Sequence, residues 1–428
     1  MALAWSSAQP MRVAVVTKIF PNSLEPLSAP FNRHQIGELA RRCEVDVLVA
    51  IPHVPFSHVF AVPERAARLA ALPARERVHG VDVTYVRQLY VPRVGLPVAV
   101  PLYLASLRPH VERLRTADVL LATWAYPDGC AAVWTALALD KPCVVKVHGS
   151  DVNTVLQRRA ARLIGARVLP RADAVIAVSR PLAAELVQLG VPRERVHVVP
   201  NGVDTSLFYP RDRAASRLTL CVPDDARLVL FVGRLEPQKG LGELLEAFAV
   251  AHRRVPGAML VLIGDGASAD EARARSAAFP RGAVRVVGPR PHEDVAMWLG
   301  ACDVLALPSW AEGTPNVILE ALASGRPAVA TAVGGIPDVL ADPRAGIVVP
   351  PKNPAALAEA LCDALCRQWD PPSVRACGPA SWTESAARLQ SILDLVTSAR
   401  RSSRTRANQS KQSNQNPIAP FWKRVRNG

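Results

Sequence analysis

Residues 308–325 read Pro-Ser-Trp-Ala-Glu-Gly-Thr-Pro-Asn-Val-Ile-Leu-Glu-Ala-Leu-Ala-Ser-Gly. The apolar run 303–307 before them predicts a strand. A short loop follows and carries Glu312. Thr314 is placed to cap a helix whose first residue is Pro315, because proline's missing N–H costs nothing in a first turn. Glu320 follows Glu312 with seven residues between. Backbone N–H groups at the opening of a helix have no partner within it and attract an anion, most naturally a phosphate. Gly313, Thr314, Asn316 and Val317 supply that opening. One carboxylate lies just before it and the other about two turns in. The stretch therefore predicts a nucleotide diphosphate with a carboxylate near each of its ends.

Working outward, valine-rich apolar runs alternate with helical patterns along most of the chain. In the first half they are 12–17, 45–50, 81–86, 118–123, 142–147, 174–179 and 196–199. In the second half they are 228–233, 259–264, 284–288, 303–307, 328–332 and 346–349. Runs apolar on both faces are strands of buried parallel sheets. Leu241, Leu244, Leu245 and Phe248 mark the apolar stripe of one intervening helix, and Asn353-Pro354 opens another. The fold class predicted is α/β, with two facing doubly wound, Rossmann-like domains. The expected divisions are an extension at 1–11, a first domain at 12–205 and a second at 206–380. A crossover helix at 381–397 packs back on the first domain, and a disordered basic tail fills 398–428. Ligands bind such sheets at their carboxyl edges, so the site is expected in the cleft between them.

Composition narrows the class. At 428 residues, half of them hydrophobic, the chain suits two domains. No run of apolar residues is long enough to span a bilayer, and the N-terminus lacks a signal-peptide pattern. A cytoplasmic place is expected, with a peripheral one at the inner membrane face as the variant. The eight cysteines show no metal-ligand spacing and read as free thiols. The net charge is +14, but eight of the 51 Lys and Arg residues lie in 398–428, which has no acid, so the rest carries only +6. Phe421-Trp422 beside Lys423, Arg424 and Arg426 reads either as a contact with an anionic membrane or as an inert solvated tail. No recognition motif accompanies the high isoelectric point, so no specific nucleic-acid partner is expected.

Four further segments carry chemistry. Gly233-Arg234-Leu235-Glu236-Pro237-Gln238-Lys239-Gly240 follows a strand. There Arg234 offers a fork for phosphate oxygens and Lys239 a point charge. His148-Gly149-Ser150-Asp151 ends another strand, where His148 suits a sugar hydroxyl or a proton transfer, or else caps the following helix or sits satisfied in the core, and Asp151 is a candidate acceptor or cleft contact. Arg33 and His34 stand at the end of a long loop after the first strand, as acceptor or phosphate contacts or as a helix start. Lys146 points to the same side of its strand as His148, and a structural role is the first expectation. Gly264-Asp265-Gly266 reads as a tight turn, and Gly334-Gly335 as another edge turn. No Walker-type loop, nucleophile elbow or His-Glu-x-x-His motif is present.

Taken together these segments resemble glycosyltransferase family four, the retaining nucleotide-sugar transferases of GT-B fold. His148-Gly-Ser-Asp151, the run 177–179 with 199–204, Phe208-x-Pro210, Gly233-Arg234 with Lys239-Gly240, the Glu312 to Glu320 spacing and Val333-Gly-Gly-Ile-Pro-Asp338 carry the resemblance over residues 12–396. It implies that Arg234 and Lys239 hold the diphosphate, Glu312 contacts the donor sugar, Glu320 accepts from the ribose hydroxyls and His148 lies near the transfer point. The glycine-rich turn after the first strand of many members is replaced here by a proline-containing loop without glycine. The run 30–35 is similar to bacterial members that build cell-surface polysaccharides.

The expected activity is hexosyl transfer from a nucleotide diphosphate sugar to a saccharide or lipid-linked hydroxyl acceptor, in polysaccharide or glycolipid biosynthesis. The anomeric configuration is retained. The helix-opening N–H groups and the two cations balance the leaving group's charge, with no metal and no other cofactor. A nucleotide-sugar epimerase and a non-catalytic nucleotide-sugar-binding protein remain the alternatives; the first needs no acceptor and the second shows no turnover.

Overall fold

A computed structural model describes residues 10–26, 28–54, 63–90, 95–313 and 315–414. Two sheets organise the chain. The first contains β1 (Arg12–Thr17), β2 (Glu44–His53), β3 (Arg75–Val78), β4 (Val81–Leu89), β5 (Val119–Ala122), β6 (Cys143–Val147), β7 (Ala174–Ala177) and β8 (Val196–Val198), in the order β3-β4-β2-β1-β5-β6-β7-β8. The second contains β9 (Arg227–Val232), β10 (Ala258–Ile263), β11 (Val284–Gly288), β12 (Val304–Leu307), β13 (Ala328–Thr331) and β14 (Gly346–Val349), in the order β11-β10-β9-β12-β13-β14. Every pairing is parallel except β3 with β4. Central strands such as Val119–Ala122 and Val304–Leu307 are buried along their whole length, because helices cover both faces. This is the predicted α/β architecture of two doubly wound sheets.

Three local features differ from the sequence expectation. β3 has no counterpart among the expected runs. Its sequence, Arg-Glu-Arg-Val, is short and charged, as suits a sheet edge. It is held by a hairpin through His79 and Gly80, both at positive φ. The helix of the opening stretch begins at Asn316 and runs Asn316–Ala323, with Pro315 in the capping position instead of inside the helix. Thr314, the expected cap, lies outside the described residues. The terminal helix, expected to end at 397, runs Trp382–Asn414. Extending a formed helix is cheaper than starting one, and Arg, Lys, Gln and Ala are good helix formers. Arg400 and Arg401 add ion pairs to Asp140 (2.7 Å) and Asp118 (2.9 Å). Residues 398–414 are therefore helical here, and the remainder of the expected tail, 415–428, lies outside the described residues.

The chain crosses between the sheets twice, and the crossings lie side by side. Val203 N donates to Ala380 O (3.1 Å) and Trp382 N to Val203 O (3.2 Å). From there Leu389, Ile392, Leu393 and Val396 of the terminal helix pack with Ile36 and Leu39 of helix Pro30–Ala40 onto the first sheet. Among the described residues no helix is long and apolar enough to cross a membrane. All eight cysteines are free thiols.

Asp303 at the entry to β12 anchors the second sheet. Its carboxylate accepts from Leu228 N (2.6 Å), Arg213 (2.7 Å) and Arg217 (2.8 Å). Arg217 is only 1% exposed and also donates to Ala301 O. Removing the carboxylate would strand a buried guanidinium. Asp303→Ala is therefore expected to lower unfolding stability in urea by about 3 kcal/mol; a loss below about 1 kcal/mol would place the pair in the surface class.

Candidate active site

The loop after β12 is fixed from below by its own domain. Lys239 Nζ donates to Glu312 Oε1 at 2.6 Å, and Ser309 Oγ donates to the same oxygen at 2.7 Å. Thr331 on β13 donates through Oγ1 to Ser309 O. Trp310 N donates to Gln238 O (2.8 Å), joining the loop to the Gly233–Gly240 segment. Gly334 has φ +53°, and a Cβ there would fall 1.9 Å from Glu312 O. That clash explains why the edge turn Gly334-Gly335 lacks side chains: it lies directly against Glu312 and Gly313.

The first domain closes over the same loop from the other side. Gly149 has φ +119°, and a Cβ on it would lie 2.6 Å from Gly313 Cα. Two backbones thus touch across the cleft, and His148 is delivered beside Gly313. Its ring packs on Phe31, with centroids 4.2 Å apart. Both ring nitrogens are buried without a protein partner among the described residues. Burial, reinforced by the neighbouring Lys146 charge, pushes the imidazole pKa well below its ordinary value, so the ring is neutral. Neutral imidazole presents one donor and one acceptor.

Asp151 does not join the cleft as expected. It is fully buried, and its carboxylate accepts from His148 N (3.0 Å), Gly149 N (2.8 Å) and Ala125 N (3.0 Å). Its place is under the His148 loop, which it holds in shape.

Above Glu312 the two domains enclose a hollow of about 580 Å³. Arg234, Lys239, Glu312, Asn316, Val317 and Glu320 all line it, so the segments expected to bracket a diphosphate do converge. Arg234 is exposed and rests on Glu236 at 2.6 Å, an exposed-type pair that a ligand can displace cheaply. Burial lifts the Glu320 carboxyl to a pKa of about 7. Asp265 and Arg290, both exposed, also line it. The expected tight turn at Gly264-Asp265-Gly266 falls slightly later, where Ala269 N donates to Gly266 O (3.0 Å), and Gly264 and Asp265 line the hollow just after β10.

Glu320, Asn316, Phe31 and His292 also line an adjoining hollow of about 180 Å³ at the crossings. Arg33 and His34 belong there. Arg33 donates to His34 Nε2 (2.8 Å), and the His34 ring stacks on Trp382 at 5.6 Å. Burial, then the Arg33 charge, lowers His34 to a pKa of about 4. These two residues stand beside the crossings and line this adjoining hollow, not the one that holds Arg234 and Lys239.

Two structural features escaped the sequence. A cavity of about 360 Å³ opens at the carboxyl ends of β1, β2 and β4, lined by Lys18, Phe20, Pro52, Arg65 and Gln88 among others. The long loop after β1 was its only signal. The second is a buried polar chain. Lys146 Nζ donates to Gln35 Oε1 and to Asn201 Oδ1 (3.3 Å), and Asn201 Nδ2 donates to Asn316 Oδ1 (3.0 Å). Burial draws the Lys146 amine down to a pKa of about 7. Lys146 is structural, as first expected, but it is tied through Asn201 to the opening of helix Asn316–Ala323. Among the described residues no group of three or more His, Cys, Asp or Glu side chains is placed to hold a metal ion.

Known proteins fit this architecture. The family model for glycosyl transferases group 1 matches residues 226–367, and that for glycosyltransferase family 4 matches residues 36–207. TuaC of Bacillus subtilis (strain 168), a glycosyltransferase named for teichuronic acid biosynthesis, is 31% identical over 372 residues, covering 82% of this chain and 88% of that protein. A D-inositol 3-phosphate glycosyltransferase of Streptomyces avermitilis is 38% identical, over 48% of this chain and 47% of that protein, so the match spans about half of either length. The solved structure of Anabaena HepE in complex with UDP superposes with a TM-score of 0.67 at 20% identity, over 90% of this chain and 99% of that one. With a relative at this level of identity across most of its length, the chain belongs to the group 1 and family 4 glycosyltransferases of GT-B fold.

Proposed function

We propose that the protein transfers a hexosyl unit from a nucleotide diphosphate sugar to a hydroxyl acceptor, with retention at the anomeric carbon. The observation that carries this reading is the single hollow into which Arg234, Lys239, the opening of helix Asn316–Ala323 and Glu320 all face, with Glu312 at its inner end. The relation to a HepE structure containing UDP-glucose supports the donor class. The relation to TuaC supports a cell-surface polysaccharide as the product, built on a saccharide or lipid-linked acceptor.

In this reading the ribose hydroxyls donate to Glu320, and the diphosphate lies against the helix-opening amides and the two cations. Lys239 exchanges its Glu312 partner for phosphate, which frees that carboxylate to take a hydroxyl of the donor sugar. The bond from the anomeric carbon to the phosphate oxygen breaks, and the electron pair leaves with the diphosphate. The acceptor oxygen bonds to the same carbon on the same face, and its proton passes to the departing phosphate oxygen. Protein groups offset the leaving charge, with no metal required. The neutral His148 ring orients the sugar by donating from one nitrogen and accepting at the other. The Lys18-lined cavity receives the acceptor.

Donor panels with product analysis test the reading. Sugar should appear on an acceptor alongside stoichiometric nucleoside diphosphate. Conversion of the donor alone to an epimer, or binding without turnover, would refute it. Glu312→Ala should lower kcat by about 10³-fold with an unchanged unfolding midpoint, and near-normal turnover would remove Glu312 from the reaction.

Glu320 adds a pH signature. Its carboxyl is protonated below about pH 7 in the free protein. Ribose hydroxyls that donate to it favour the ionised form, so binding must release a proton near neutrality. Nucleoside diphosphate affinity should therefore rise several-fold from about pH 6 to about pH 8. Calorimetry in two buffers should show proton release that Glu320→Gln abolishes. Proton uptake on binding, or an unaltered profile in the variant, would contradict the assignment.

A further inference from the structure

The first domain carries a second large concavity that shares no residue with the donor hollow. It is a groove of about 700 Å³ between helices Gly95–Leu107, Cys130–Leu139 and Arg159–Val168. Its floor is apolar, built from Val100, Leu104, Leu107, Leu139, Ile164 and Val168. Trp134, which lines the groove, is 40% exposed, and Leu137 and Leu163, on the same two flanking helices but outside the lining, are 44% and 58% exposed. Three large apolar side chains left in water on adjacent helices, beside an apolar groove, mark a surface that gains when something covers it.

The rim states what that is. Arg108, Arg167 and Arg171 line the groove, and Arg171 stands over the Trp134 ring at 5.2 Å. Residues 156–171 contain five arginines and no acid, and all five are exposed. An apolar strip flanked by cations of one sign is matched by a surface that is apolar inside and anionic outside, as a bilayer with acidic lipids is. The chain's own undescribed segment 415–428 is a poorer occupant, because Lys423, Arg424 and Arg426 would meet these arginines with like charge.

We propose that this face docks on a bilayer containing anionic lipids. Trp134, Leu137 and Leu163 enter the headgroup boundary while the arginines engage lipid phosphates. The placement has a consequence for the acceptor. Helix Gly95–Leu107 lines the groove with Pro97, Pro101 and Leu104, and lines the Lys18 cavity with Leu96, Ala99 and Leu102. The cavity thus lies one helix away from the docked lipid surface, which suits a membrane-borne hydroxyl acceptor. That last step rests on the proposed transfer; the docking itself does not.

Vesicle co-sedimentation of the full chain tests it. The chain should bind phosphatidylcholine vesicles carrying about 30% phosphatidylglycerol and not pure phosphatidylcholine. Leu163→Asp, and Arg162→Glu combined with Arg167→Glu, should each weaken partitioning by about tenfold or more at an unchanged unfolding midpoint. A chain ending at residue 414 should retain most of the binding. Three results would overturn the proposal: no binding to anionic vesicles, full binding by the groove variants with loss only on truncation, or a groove variant that instead converts a dimer to a monomer. A chain that docks but transfers no sugar would refute the proposed function and leave the docking intact.

Discussion

Lys239 and Glu312 come from different βα loops and meet at 2.6 Å with side chains only 18% and 12% exposed. A pair this sheltered holds only when further hydrogen bonds complete it, since desolvation otherwise cancels the attraction. Ser309 supplies one such bond. The pair holds the two segments together at the floor of the hollow in the absence of ligand. It also presets the exchange that a diphosphate would make, because an amine already drawn out of bulk water gains more from a phosphate than a solvated one does. The contacts of Gly334 with Glu312 and of Gly149 with Gly313 are steric corollaries, since each needs that loop in that position.

The second constraint is mechanical. The chain passes between the domains at Val203 and again at Ser381, where the two segments form a parallel bridge. The Lys146 chain lies beside it and spans helix Pro30–Ala40, the linker residue Asn201 and the helix opening at Asn316. Gln35 extends it to Ser385 of the terminal helix at 2.9 Å. Rotation of one domain on the other must strain or break the bond between Asn201 and Asn316. The relative placement of the domains and the opening of helix Asn316–Ala323 are therefore coupled through side-chain amides in a sheltered chain, where each unsatisfied group is costly. Arg180 N to Asp338, at 3.1 Å, is another bond that crosses the cleft.

Much of this was legible in the residues. Both-face-buried strands write themselves as valine runs, and each expected run became a strand within a residue or a few at its ends. That Glu312, Glu320, Arg234 and Lys239 converge on one hollow was readable, because sequence-local rules place them at strand ends and around a helix opening. β3 was not, because a charged edge strand has no apolar pattern to show. Asp151 differs from its reading because an adjacent histidine suggests a cleft, whereas its carboxylate is spent on two local amides, His148 and Gly149, and on the distant Ala125 N. Arg33 and His34 were legible as cleft candidates, but only the fold shows that they stand beside the interdomain crossings. The Lys146 chain joins positions far apart in sequence, and no local rule reports that. The terminal helix ran beyond its apolar stripe because ion pairs to Asp140 and Asp118 carry it further.

The central claim is that Arg234 and Lys239 share one diphosphate with the opening of helix Asn316–Ala323. Calorimetric titration with a nucleoside, its monophosphate and its diphosphate, against the native chain and the combined Arg234→Ala and Lys239→Ala variant, isolates it. Affinity should climb steeply with the second phosphate in the native chain, and that gain should collapse in the variant while nucleoside binding persists. Equal affinity for nucleoside and diphosphate in the native chain, or an undiminished gain in the variant, would contradict the account.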